Sequence, residues 1–120
     1  MPLNLNFDRP IFVQIIEHIE NDIVTGKYNS GDKLPSVRDL AAEAGVTPNT
    51  IQKALSDLEQ TGLVHSERTS GRFITEDENM IKDLRTALID MEIEDFFNNM
   101  KRLGFDEEQI IQLVEQFANK

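Results

Sequence analysis

Polar side chains suited to contacting nucleic-acid bases lie close together between residues 47 and 53. The segment reads TPNTIQK, and its hydrogen-bonding members are Thr47, Asn49, Thr50, Gln52 and Lys53. An Asn or Gln amide donates and accepts at once, as the edge of adenine requires. A Thr suits thymine, and a Lys suits guanine or a phosphate. The pattern indicates direct contact with DNA bases, and an ordinary solvated polar face is the alternative.

Residues for catalysis or metal binding are not grouped in this way. The chain has 120 residues and no cysteine, and its two histidines, His18 and His65, lie far apart in the sequence. No pair of acids, no nucleophile beside a base and no phosphate-binding loop stands out. We therefore expect no enzyme activity, no cofactor and no metal.

Two short helices joined at Gly45 are predicted to position the polar segment. Gly45 can take the left-handed backbone conformation that ends a helix, and Ala41 and Ala44 allow the two helices to cross closely. Thr47 is the predicted N-cap of the second helix, with Pro48 in its first turn. This arrangement is typical of a helix-turn-helix, whose second helix enters the major groove.

The first helix of the pair offers an anchor for the DNA backbone. Ser36 is its predicted N-cap, and Asp39 three residues later makes a variant of the capping box. Because a helix N-terminus attracts anions, we predict that Ser36 and Arg38 hold a phosphate. An ion pair between Arg38 and Glu43 is the alternative.

A β-hairpin is predicted to follow the helix pair. Leu63–Val64 and Phe73–Ile74 supply strand residues, and Ser70 with Gly71 supplies the turn. Such a hairpin beside a recognition helix is a wing. We predict that the basic residues near its tip enter a minor groove or contact the DNA backbone, and that a histidine approaches a phosphate; these residues are Arg68, Arg72 and His65.

An amphipathic helix is predicted before the helix pair. Its apolar stripe includes Ile11, Ile15, Ile19 and Ile23, which recur every four residues and indicate a face packed in the core. The predicted N-cap is Asp8, with Pro10 in the first turn and Gly26 as the stop.

The net charge of −10 is distributed unevenly along the chain. Residues 1–75 carry seven basic and ten acidic side chains, for a net charge of −3, whereas residues 76–120 carry five basic and twelve acidic ones, for −7. Five of the seven basic residues in residues 1–75 lie in the helix pair, in the turn before it or after it. They are Lys33, Arg38, Lys53, Arg68 and Arg72. A local positive face can form there, so the acidic total does not exclude DNA binding.

Residues 76–120 are predicted to form two helices. The apolar stripe of the first changes face near Met91, so this helix either kinks between Met91 and Asp95 or packs its two halves on different bodies. Asp106 and Gln109 predict a capping box for the last helix.

Two helices alone bury too little apolar surface, and a second copy of the chain is the expected partner. Packing onto the chain's own N-terminal domain is the alternative. The tail is too short for a conventional ligand pocket, although an unidentified small-molecule effector can bind at a dimer interface. The predicted dimerisation residues are Leu84, Leu88, Met91, Phe96, Phe97, Met100, Ile110, Val114 and Phe117.

The segment from Gly26 to Ile74 closely resembles the DNA-binding domain of GntR-family bacterial transcription regulators. The most specific parts are GDKLPSVRDLA, VTPNTIQKAL and EQTGLV, the last leading into a glycine-tipped wing. With the first helix, the resemblance covers about two thirds of the chain. The PNT-Q-K form and the short tail resemble the YtrA-type branch.

The resemblance implies a dimeric regulator that binds operator DNA. The positions that match the family's DNA contacts are Ser36, Arg38, Thr47, Asn49, Thr50, Gln52, Lys53 and Gly71. The wing departs from the family, which often has two glycines and more basic residues there, whereas ERTSGRF places Glu67 beside Arg68.

Together these observations predict a mainly α fold with a small β-hairpin: a winged helix-turn-helix in residues 1–75 followed by a C-terminal helical pair for dimerisation in residues 76–120. The predicted function is sequence-specific regulation of transcription, by repression, through a homodimer on an inverted-repeat operator of double-stranded DNA. No signal peptide or membrane span is expected, so we predict a cytoplasmic protein. A winged-helix module that binds proteins without specific DNA binding is the alternative.

Overall fold

The computed structural model describes residues 3–120, and within them it contains five helices and one two-stranded antiparallel sheet. The elements in chain order are α1 (Ile11–Val24), α2 (Val37–Ala44), α3 (Pro48–Thr61), β1 (Val64–Glu67), β2 (Gly71–Ile74), α4 (Glu78–Arg102) and α5 (Glu107–Ala118). The predicted fold class is confirmed: a winged helix-turn-helix precedes a helical pair.

The chain divides into two compact units, one ending at Leu84 and the other spanning Arg85–Lys120. The division falls inside α4, later than the predicted domain boundary after Thr75. The reason is that Met80, Ile81 and Leu84, on the first turns of α4, pack against the core of the N-terminal unit.

Three helices and the hairpin build the core of the N-terminal unit. The isoleucine stripe of α1 is buried as predicted at Ile15, Ile19 and Ile23, each at most 3% exposed. The inner face of α3 meets it with Ile51, Ala54, Leu55 and Leu58, and the hairpin adds Val64 and Ile74. Burying each large side chain contributes about 1.5–3 kcal/mol, so this cluster holds α3 firmly in place.

The start of α1 differs from the prediction, because Asp8 is not its N-cap. Pro10 occupies that position and has no side-chain cap. The buried amide of Gln14 satisfies the entering chain instead: its Oε1 accepts from the Asn6 N–H, and its Nε2 donates to the carbonyls of Asn6 at 2.7 Å and Arg9 at 3.1 Å. The prediction was wrong because the backbone of Asn6 and Arg9 bonds the side chain of Gln14, the fourth residue of the helix, and Pro10 takes the N-cap position.

The helix-turn-helix forms as its sequence predicts. Ser36 caps α2 by accepting from the Asp39 N–H, and Gly45 ends the helix in the left-handed conformation with φ 74°. Thr47 then caps α3, and Pro48 occupies its first turn. Local side chains therefore define both ends of the turn.

The wing is hydrogen-bonded on both edges of β2. Along one edge β1 pairs in the register Val64↔Ile74 to Glu67↔Gly71. Along the other, the Leu34 N–H donates to the Arg72 carbonyl and the Ile74 N–H donates to the Asp32 carbonyl, both at 2.8 Å. The turn before α2 is therefore joined to the wing as a short third segment.

The C-terminal unit contains the end of α4 and all of α5. α4 is one continuous helix, and α5 begins with the predicted capping box, in which Asp106 and Gln109 bond each other's backbone N–H groups. Ile110 is fully buried in the chain. Within residues 3–120, no helix is both long and apolar enough to cross a bilayer.

Candidate nucleic-acid interface

The first turns of α3 present the predicted base-contacting residues. The side chains of Asn49, Gln52 and Lys53 are exposed, whereas Thr50 is half-buried. Thr47 Oγ1 accepts from the Thr50 N–H at 3.4 Å and lies 3.0 Å from Thr50 Oγ1. The two threonines therefore fix the first turn, and the amides of Asn49 and Gln52 are exposed on it and just after it.

Lys53 is held by an aromatic ring of α1. Its Nζ lies 4.0 Å from the ring centroid of Phe12. A cation–π contact at such a site is worth about 0.5–1 kcal/mol, and it fixes the ammonium group at the α1 side of α3. The charge remains exposed there.

Arg72 of the wing turns toward α3 and bonds two of its residues. Its Nη2 donates to Gln52 Oε1 at 2.9 Å, and its Nε donates to Glu59 Oε1 at 2.7 Å. The Ser66 hydroxyl donates to the same carboxylate oxygen. These hydrogen bonds, that from Ser66 first and that from Arg72 next, hold the pKa of Glu59 below its ordinary value. The wing and α3 are thus linked by a charged cluster.

The start of α2 keeps its arginine unpaired. Arg38 is exposed, and no ion pair or hydrogen bond of its side chain occurs within the described part of the chain. The pairing with Glu43 that the sequence allowed is not formed, since Lys27 Nζ bonds Glu43 Oε1 at 3.2 Å. Arg38 is therefore available to an external anion beside the N-cap Ser36.

The wing tip is shaped by Gly71, whose φ is 108°. A Cβ at this position would lie 3.1 Å from Lys33 Cε, so the lysine stem covers the glycine closely. Arg68, which precedes Gly71 in the turn between the two strands, is exposed to solvent. His65, by contrast, stacks on Phe73 with ring centroids 6.0 Å apart, and its Nε2 lies 3.3 Å from Glu67 Oε1.

Lys33 is a candidate contact that the predicted site did not include. It lines one surface recess together with Ser36 of the α2 start and Thr69, Ser70 and Gly71 of the wing tip. The feature of the sequence that pointed to this contact is the position of the lysine between the turn at Gly31–Asp32 and the N-cap Ser36. Its neighbours in the wing come from a distant part of the sequence, so the spacing alone did not reveal the grouping.

The predicted dimerisation residues differ widely in exposure. Met91, Phe96, Val114 and Phe117 are exposed, and Phe117 is 75% exposed. Leu88, Phe97 and Met100 are half-buried. Leu84 packs against the N-terminal core, and Ile110 is fully buried in the single chain, so neither offers a large free surface.

No group of three or more potential ligands is placed to hold a metal ion in residues 3–120. The chemistry available at this surface is hydrogen bonding from amides and hydroxyls together with the positive charge of Lys33, Arg38, Lys53 and Arg68. Such a set suits the base edges and phosphates of DNA.

Comparison with known proteins decides the family. The model of the bacterial regulatory proteins of the gntR family matches residues 12–74, from α1 to the end of the wing. The chain belongs to the GntR family. This confirms the resemblance found in the sequence, and GntR regulators of this kind are DNA-binding transcription regulators and not enzymes.

Individual GntR relatives match far beyond the DNA-binding unit. The uncharacterised HTH-type transcriptional regulator YhcF of Bacillus subtilis is 37% identical over 110 residues, which cover 92% of this chain and 91% of YhcF. The HTH-type transcriptional repressor YtrA of the same organism is 34% identical over 97 residues, or 81% of this chain and 70% of YtrA. Similarity to YtrA agrees with the YtrA-type branch.

A solved GntR structure has the same fold over nearly the whole chain. The GntR family transcriptional regulator from Listeria monocytogenes matches with a TM-score of 0.85 and 39% sequence identity, covering 93% of this chain and 98% of the other. The helical tail is therefore part of the shared fold and not an addition to this chain alone.

Proposed function

We propose that this GntR regulator binds an inverted-repeat operator as a homodimer and represses transcription by blocking a promoter. The observation that carries the proposal is the exposed start of α3, where Asn49 and Gln52 stand free of the core. These amides can contact base edges in the major groove. Arg38 and Lys33 supply positive charge for the phosphates on either side.

The proposed assignments separate base contacts from phosphate contacts. Asn49 and Gln52 are the proposed base readers, with Thr47 and Thr50 shaping the turn that carries them. The proposed contacts to the sugar–phosphate backbone are Lys33, Ser36, Arg38, Lys53, Arg68 and Gly71. In a homodimer the two α3 helices would enter successive major grooves about 34 Å apart.

The apolar surface of the tail supports dimerisation. The end of α4 and α5 enclose an open groove of about 610 Å³, lined mainly by Phe96, Met100, Leu113, Val114 and Phe117. Contiguous apolar surface of this kind is uncommon on a stable monomer and marks an interaction site. A second copy of the chain covers it with like residues, as two-fold symmetry requires.

Repression is the outcome that the relatives favour, since YtrA is named a transcriptional repressor. A bound dimer would exclude RNA polymerase from an overlapping promoter. The protein would act in the cytoplasm, where the bacterial chromosome lies.

Binding measurements on operator and random DNA test the proposal. We expect Asn49→Ala to weaken operator binding by about tenfold or more while changing random-DNA binding little, because an amide–base contact carries sequence preference. Arg38→Ala should weaken binding to both and reduce the salt dependence by about one phosphate contact. Arg102→Ala, in the tail, is the matched control. If the protein enriches no sequence from a random DNA library, it is not a sequence-specific regulator. That result would favour the alternative, a winged-helix module that binds other proteins.

A further inference from the structure

The hydrogen bond between Arg72 and Gln52 joins the wing to the base-contacting face of α3. The two residues are 20 positions apart in the sequence, and their side-chain atoms lie 2.9 Å apart. A guanidinium group has donors only, so it must bond the oxygen of the amide and not its nitrogen. The contact therefore fixes which end of the Gln52 amide is occupied.

Arg72 is itself held by its strand backbone and by Glu59, which in turn is held by Ser66. The arginine backbone lies in β2 opposite Ser66, its Nε bonds Glu59 Oε1 at 2.7 Å, and Glu59 also accepts from the Ser66 hydroxyl. The arginine and glutamate side chains are 24% and 29% exposed. Because its guanidinium is largely covered and paired with a carboxylate, Arg72 is a more ordered support for the glutamine than an exposed arginine would be.

The free end of Gln52 is then the Nε2 amino group, which only donates. A glutamine that reads adenine needs its oxygen for the adenine amino group and its nitrogen for N7. In this structure the oxygen accepts from Arg72, and an approaching adenine amino group would also meet the guanidinium charge. Guanine presents two acceptors in the major groove, N7 and O6, and suits a donor beside a positive charge.

We propose that Arg72 is a positioning residue that sets the specificity of Gln52: it holds the amide so that Gln52 donates to guanine rather than pairing with adenine. The proposal rests on the proposed function, in which α3 contacts bases in the major groove. It assigns Arg72 a role inside the reading site instead of a contact of its own in the minor groove.

Selection of bound sequences from random DNA tests this assignment. The position read by Gln52 is defined as the one whose preference disappears in Gln52→Ala. We expect the wild-type protein to prefer guanine over adenine there by about tenfold or more, as one good base contact allows. In Arg72→Gln this preference should fall to about twofold or shift toward adenine, while preferences elsewhere in the site persist.

Arg68→Gln is the matched control, because it removes the same charge from the same wing at an exposed position. It should weaken binding to all sequences and lower the salt dependence, with the base preferences unchanged. Glu59→Gln removes the carboxylate that holds Arg72, and it should reduce the guanine preference without removing any positive charge.

A second measurement does not depend on the Arg72 and Glu59 variants folding, because it compares the wild type only with Gln52→Ala, a change at an exposed position. Replacing the selected guanine by 7-deazaguanine removes the N7 acceptor, and we expect wild-type affinity to drop about fivefold or more while Gln52→Ala is unaffected. Adenine at the Gln52 position of the wild type, or an unchanged preference in Arg72→Gln, overturns the inference and leaves the proposed function intact. Absence of any enriched sequence overturns both.

Discussion

Phe117 offers the sharpest test of the proposed dimer. It lies near the end of α5, is 75% exposed in the single chain, and lines the apolar groove of the tail. Fully burying a Phe side chain contributes about 1.5–3 kcal/mol. Since about a quarter is already covered, each copy has about 1–2 kcal/mol to gain in an interface, and a symmetric dimer contains two copies.

We therefore expect Phe117→Ser to weaken dimerisation by about 2–4 kcal/mol, or about 30- to 1000-fold in the dimer dissociation constant. Sedimentation velocity over a concentration series measures this shift. Because the side chain is exposed in the monomer, the helix content measured by circular dichroism should stay the same.

Phe7→Ser is the matched control, since Phe7 is 92% exposed and lies in the other compact unit. It should leave the dimer constant unchanged. An equal dimer constant for Phe117→Ser and wild type would refute the assignment of this groove to the interface. A wild-type protein that is monomeric at micromolar concentration would refute the dimer as a whole.

Two further predictions concern the DNA-binding unit. Gly45→Ala should destabilise the protein by about 1–2 kcal/mol, because Gly45 has φ 74° and an alanine Cβ disfavours this conformation; urea unfolding measures the loss, and Gly45→Asn, which tolerates the conformation better, should lose less. Equal losses for both would contradict this reasoning. The pKa of Glu59 is lowered from its ordinary value of 4.5, so the ionised carboxylate stabilises the folded state. This contribution to the free energy of unfolding is fully present above pH 4.5 and is lost as the pH falls through the lower pKa of the folded state. Below pH 4.5, the urea midpoint of the wild type should therefore fall more steeply with decreasing pH than that of Glu59→Gln. If the two plots of urea midpoint against pH were parallel, the Glu59 cluster would contribute nothing to stability.

Features set by neighbouring residues were predictable from the sequence. The caps Ser36, Thr47 and Asp106 each bond a backbone N–H three residues later, and Gly45 needs only its own φ. Hydrophobic periodicity likewise identified the buried faces of α1 and α3. The fold class and the exposed amides of α3 followed from these local patterns.

Features made by distant parts of the chain were not predictable in this way. Asp8 does not cap α1, because the chain from Asn6 to Arg9 packs against the helix and bonds the Gln14 side chain. The bond from Arg72 to Gln52 depends on the exact position of the wing against α3. Apolar periodicity marked Ile110 for an interface, but it does not specify which surface covers a residue, and the chain itself buries this one.

The pairing of β2 on both edges has a consequence for how the wing opens. The Leu34 and Ile74 N–H groups belong to one ladder that runs into the residues before α2, and the Thr75 N–H bonds the Leu63 carbonyl on the other side. Opening the hairpin therefore also releases the turn that leads to Ser36. Wing, turn and the start of α2 form one cooperative unit of local unfolding, and their amide protons should exchange with solvent together.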